Sequence, residues 1–206
     1  MTEPAGITVD VRTFAPVSAI DTCSVWNLLS SPRLLATALR RGRWFVVAPY
    51  VRYEALDKAR SRATSAELAM QEEFRIRLEA GNQGFSREET LLADLQAVAS
   101  LPDCRRLGRG EIAALALARR LRSAVLTEDR GARKVAPLVG VEPAQTTPQL
   151  LGWLLYEGHL SDGDVPDIIS EHETRIEASR GRITKYFRRI YEEACRCRLL
   201  RHSSSD

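Results

Sequence analysis

Pro16-Val17-Ser18-Ala19-Ile20 is the stretch on which the fold turns. It is short and largely apolar, and Asp21-Thr22 and a helical pattern follow it at once. Two other runs have the same form, Trp44-Phe45-Val46-Val47-Ala48 and Ala124-Val125-Leu126-Thr127. Apolar runs of this length, rich in β-branched or aromatic residues, read as buried strands. Without polar alternation they belong to a sheet covered on both faces, as in parallel α/β folds. Val139-Gly140-Val141 is expected to begin a fourth strand.

The helices between them carry boundary signals. Thr22 is placed to cap a helix through Leu29, and Pro49 fits the first turn of one reaching about Ala59, where its missing N–H would be unpaired anyway. Thr64 with Glu67, and Ser86 with Glu89, have capping-box spacing and open helices ending near Gly81 and Ala99. With Gly81-Asn82-Gln83-Gly84 as the turn between them, residues 62–100 read as a helical hairpin insert. Gly110 precedes an alanine- and leucine-rich helix from Glu111 to Leu121, and Thr147-Pro148 opens one ending near Gly158. Strands alternating with helices predict an α/β fold, an open parallel sheet flanked by helices.

Composition narrows the class. The 206 residues are 44% hydrophobic and 28% charged, ordinary globular usage, and no apolar run approaches the ~18 residues of a membrane span. The first ten residues lack a basic segment followed by an apolar one, so no signal peptide is expected. Cys23, Cys104, Cys195 and Cys197 form no zinc or disulfide framework, and reduced thiols in a cytoplasm fit best. His159, His172 and His202 show no ligand spacing. Site chemistry therefore falls to carboxylates, hydroxyls and basic groups. No glycine-rich phosphate loop is present, which argues against a P-loop nucleotide site.

Four acids sit where an open parallel sheet places its chemistry, outside the carboxyl ends of the strands. Asp21 follows the first strand, Asp129 follows the third within two residues, Glu54 lies early in the helix after the second, and Glu111 opens a helix. Carboxylates gathered this closely repel, and a divalent cation relieves them. All-oxygen donors select Mg2+ or Mn2+ over zinc. Each acid also has a structural use: Asp21 as a turn or cap residue, Glu54 and Asp129 as solvated acids, and Glu111 as a first-turn acid favoured by the helix dipole by ~0.3–1 kcal/mol.

Asp21-Thr22, then Pro49 with Glu54, then Gly108-x-Gly110-Glu111 opening an alanine-rich helix, then Leu126-Thr127-Glu128-Asp129-x-x-Ala132-Arg133 resemble the PIN-domain family, in its toxin-type, VapC-like ribonuclease form. The likeness covers roughly Val17 to Leu160 and lies in the order and spacing of the motifs. It implies a three-layer α/β/α PIN-like domain over residues 1–160 and a Mg2+- or Mn2+-dependent ribonuclease. The metal would be held by Asp21, Glu54, Glu111 and Asp129, with Thr127 assisting. Either Glu128 or Asp129 is positioned as the last ligand, and the commoner T-x-D arrangement favours Asp129. Cys23 stands where a small hydroxyl residue is frequent. Arg130, Arg133 and Lys134 follow the acids and are candidates for holding the RNA backbone. The resemblance also implies an antitoxin partner and a homodimer. Two other readings stay open, a PIN-like module that binds nucleic acid or a partner without cutting, and a structure-specific DNA nuclease.

Residues 161–206 lie outside the resemblance and read as a basic helical extension. Between Thr174 and His202 there are nine basic residues and three acidic ones, whereas the whole chain nets only +3. The near-neutral total thus hides an acidic body and a basic tail. Ile183, Phe187, Ile190, Tyr191 and Ala194 recur at helical spacing, a stripe that predicts packing on the parent domain. Trp26, Trp44 and Trp153 are expected in buried regions.

Overall fold

The computed structural model describes residues 10–59, 63–176 and 183–203. Arg180 and Arg182 of the basic tail, and most of the N-terminal segment read for a signal, lie outside these. Five strands, β1 (Val17–Ile20), β2 (Trp44–Val47), β3 (Phe85–Arg87), β4 (Ala124–Leu126) and β5 (Ala144–Gln145), form one parallel sheet in the order β3-β2-β1-β4-β5. Helices α1 (Thr22–Leu29), α2 (Pro32–Arg40), α3 (Pro49–Arg52), α4 (Ser65–Ala80), α5 (Leu92–Ala99), α6 (Arg109–Leu121), α7 (Arg130–Val135) and α8 (Thr147–Tyr156) connect and flank the strands, giving the layered α/β architecture expected. Two more, α9 (Asp164–Arg175) and α10 (Thr184–Ser203), follow. Among the described residues no helix is long and apolar enough to cross a membrane.

The strand order places the site. From β1 the chain grows outward through β2 to β3, then returns across to build β4 and β5 on the other side. The connections diverge beyond the carboxyl ends of β1 and β4, and such a switch point opens a crevice where α/β sheets bind ligands. In register, Ile20 lies beside Leu126 and Val47, so the residues that follow these strands emerge at the same end of the sheet.

The insert differs from the expected helical hairpin. Gly81, in the left-handed conformation at φ 64°, does end α4, and Thr64 and Glu67 make both halves of a capping box. The chain then enters the sheet as edge strand β3 rather than turning directly into a second helix. Buried Phe85 drives this by packing on Phe45 (centroids 5.6 Å apart) and edge-on against Phe74 (5.3 Å). Ser86 caps nothing; its hydroxyl accepts the Trp44 indole N–H at 2.9 Å. Helix α5 begins only at Leu92. The fourth expected strand is displaced as well. Val139 ends a 3-10 turn, Gly140 reverses the chain at φ 73°, Val141 enters the core, and the strand forms at Ala144–Gln145.

The C-terminal helix belongs to the body. Ile183, Phe187, Ile190 and Ala194 are buried, as the stripe predicts, and α10 packs on α8 and α9. The approach is close at Gly152, where a Cβ would fall 2.7 Å from both Ile190 and Val11 side-chain carbons. Trp153 is buried beneath the Arg43 guanidinium, 4.1 Å from its ring, while Trp26 and Trp44 are half-buried.

Candidate active site at the sheet switch point

Asp21 leaves β1 as the N-cap of α1, the position the sequence pattern gave to Thr22. Its Oδ1 accepts the Ser24 N–H at 2.7 Å, and its Oδ2 accepts the Thr127 hydroxyl at 2.5 Å across the switch point. The residue is only 1% exposed. Burial raises its carboxyl above the ordinary range, the bonds from Thr127 and Ser24 oppose that rise, and the charge of Asp129 adds to it.

Thr127 joins the two sides of the crevice. While donating to Asp21, its hydroxyl accepts the Asp129 N–H at 3.1 Å. Its own N–H donates to the Gln145 carbonyl at 2.9 Å, which holds the end of β4 against β5. Asp129 then caps α7 by accepting the Ala132 N–H at 2.7 Å, and it is exposed to solvent. Its neighbour Glu128 turns to another helix and accepts the Thr147 N–H at the start of α8 at 2.7 Å. Burial raises the Glu128 carboxyl, the Thr147 bonds oppose this, and the charge of Asp21 adds to it.

Glu54 arrives by a π-helical turn, Tyr53–Asp57, that continues α3. Its Oε2 accepts the Thr22 hydroxyl at 2.8 Å and its Oε1 lies 3.6 Å from the Lys58 ammonium. Gly110 makes room for it. A Cβ there would stand 2.5 Å from Glu54 Oε2 and 3.1 Å from Thr22 Oγ1. Glu111, in the first turn of α6, folds its carboxylate back over Gly108, the residue that precedes the helix. Burial raises its carboxyl, its own backbone N–H opposes this, and the charges of Asp21, Asp129 and Glu54 raise it further. Glu111 therefore lies near enough to the other three acids to feel their charges. Cys23 borders the acids. Although the residue is exposed, the protein packed around its thiol and then the charges of Asp21, Glu111, Glu128 and Glu54 push it up to about 12.

The basic residues divide. Arg130 and Lys134 are exposed on α7, available to a ligand. Arg133 is half-buried instead, and its Nη1 donates to the carbonyls of Thr127 (3.1 Å) and Glu128 (2.8 Å). It braces the loop that carries Asp129 and does not reach outward. Sequence reading also did not identify Thr22 as the holder of Glu54, Gly110 as its seat, or Gln71, whose amide donates to the carbonyls of Ala55 (3.1 Å) and Leu56 (2.8 Å) in the π-helical turn.

The donor set is all oxygen, and neighbouring acid charges add to the rise of Asp21 and Glu111, which suits a hard divalent ion such as Mg2+ or Mn2+. Among the described residues, though, no three acid, histidine or cysteine side chains are drawn up tightly enough to hold one ion. Both Asp21 oxygens and one each of Asp129 and Glu54 are engaged in hydrogen bonds. A surface depression of about 640 Å3, lined by Val17, Trp44, Ser123 and Glu142 among others, lies at the opposite end of the sheet. No family model, curated protein or solved structure matches the chain, so the functional reading rests on this geometry.

Proposed function

We propose that this protein is a divalent-metal-dependent endoribonuclease of the PIN-domain type, acting in the cytoplasm as the toxin of a toxin–antitoxin pair. The observation that carries the reading is that buried Asp21, bonded to Thr127 across the switch point between β1 and β4, lies at the same end of the sheet as Glu54, Glu111 and Asp129. Asp21, Glu54, Glu111 and Asp129 would hold Mg2+ or Mn2+. Such an ion, when bound, activates water for attack and stabilises charge building on a phosphodiester. The chain's own groups do the positioning. Thr127 fixes Asp21 and the turn into Asp129, Thr22 fixes Glu54, and Arg133 holds the loop between β4 and α7. Arg130 and Lys134 are placed to meet phosphate.

One observation favours a second reading, a module that binds nucleic acid or a partner without cutting. The acid oxygens that face inward are largely engaged by hydrogen bonds, and no tight triad forms. The two separate on Asp21→Asn. On the nuclease reading, wild type cleaves single-stranded RNA with Mn2+, and the variant loses at least about a hundred-fold in rate, as when a central charge-stabilising group is removed. Equal cleavage by the variant, or no calorimetric Mn2+ binding by wild type, sinks the nuclease reading. Faster cutting of flapped DNA than of RNA reassigns the substrate.

A further inference from the structure

The 3-10 turn Pro102–Arg106 leads through Leu107 and Gly108 into α6 and packs against α7. The contact is close, since a Cβ on Gly131 would stand 3.1 Å from a Leu107 methyl carbon. These two adjoining segments carry Arg105, Arg106 and Arg109, and Arg130 and Lys134, all exposed. They border the acids, because Arg109 and Glu111 share a helical turn and Arg130 follows Asp129.

Two observations bear on these five cations. None makes an ion pair with a described residue, whereas Arg33, Arg75, Arg77, Arg119, Arg196 and Arg198 all do. In addition, Arg109 and Arg130 occupy the first positions of α6 and α7. A helix N-terminus is electropositive and disfavours a cation there by ~0.3–1 kcal/mol. For Arg109 and Arg130, neither pairing within the fold nor helix stability accounts for the placement, and an external polyanion does. Tyr53, 47% exposed and next to Glu54, adds a ring on which an unpaired base can stack. Stacking of that kind requires a single strand.

We infer that Arg105, Arg106 and Arg109 extend Arg130 and Lys134 into a phosphate-binding rim that holds single-stranded RNA across the carboxylate crevice. This rests on the ribonuclease reading and specifies how its substrate is gripped. The test is fluorescence anisotropy of a labelled single-stranded RNA of about 12 nucleotides, in EDTA, at salt concentrations from about 50 to 200 mM. In R106Q/R109Q the slope of log affinity against log salt falls by about 1.4, two single-strand phosphate contacts, and binding weakens on the order of ten-fold. R41Q/R122Q removes two exposed charges from the opposite end of the sheet and leaves both quantities unchanged. An unchanged slope in R106Q/R109Q, equal losses in both variants, tighter binding to a duplex of the same length, or no binding by wild type overturns the rim. R109Q alone, expected to lower the slope by about 0.7, gives the answer if the double variant melts early. Because nothing is cleaved, a chain that grips RNA through the rim yet never cuts it keeps this inference and loses the nuclease reading.

Discussion

Gly110 gives up helix stability so that the Glu54 carboxylate can rest against the backbone of α6. Alanine is favoured over glycine in a helix by about 1 kcal/mol. The atom it would strike, Glu54 Oε2 at 2.5 Å, is the free end of a flexible side chain and can be displaced. Gly110→Ala should therefore melt at or above the wild-type temperature while Mn2+ affinity and cleavage fall about ten-fold or more. A lower melting temperature with intact Mn2+ binding would show that Glu54 does not act from that seat. Asp21 carries a cost of another kind. Burial raises its carboxyl, so the native state holds the proton more tightly than the unfolded chain. Ionisation then lowers stability, and the loss develops as pH rises from the ordinary carboxylate range through the raised one. In metal-free buffer, Asp21→Asn should melt close to wild type at about pH 3 and increasingly above it toward pH 7. A gap that does not change with pH contradicts the assignment. The four acids and Thr127 were legible because each follows a strand or opens a helix. Their supports were not, because Thr22 meets Glu54 across 32 positions and Thr127 meets Asp21 across 106, and no local pattern encodes such meetings.

Among the elements, the π-helical turn Tyr53–Asp57 depends most on a neighbour. It ends at Asp57, which leaves the Ala55 and Leu56 carbonyls of its last turn to be satisfied from outside, and Gln71 of α4 donates to both. Replacing Gln71 with Leu should cost about 1–2 kcal/mol by chemical denaturation. It should also lower Mn2+ affinity, because Glu54 rides on that turn. Lost stability with unchanged Mn2+ binding would detach α4 from the site. Legibility followed how local each signal was. The Thr64–Glu67 box, Gly81 and the apolar runs of β1, β2 and β4 are short-range signals, and the chain obeys them. Strand β3 carries a single buried apolar side chain, Phe85, whose sheet partner Phe45 lies far back along the chain and whose other partner, Phe74, belongs to the preceding helix. Ser86 and Glu89 meanwhile imitate a cap. Strand β5 is two residues long, too short to leave a period.

At the scale of the molecule, the basic C-terminal helix is a structural part of the body. Phe187 is fully buried and stands edge-on to His172, whose ring lies 2.7 Å from the Ser30 hydroxyl and accepts the Ile183 N–H. Phe187→Ala should destabilise the whole chain by about 3–5 kcal/mol in one cooperative transition. Loss confined to a separate early step would mean that α10 unfolds independently. The bond between Thr127 and Asp21 also bears on how the protein is made. Contacts of such separation form only after a long loop has closed, which places them late in folding. During synthesis Asp21 emerges more than a hundred residues before the hydroxyl that fixes it, and Thr127 is secured only once Gln145 has followed. A nascent chain thus displays scattered carboxylates and no crevice, and a product truncated before β4 never assembles one. On the proposed ribonuclease reading, a nascent chain would then be inert toward the transcript from which it is being read.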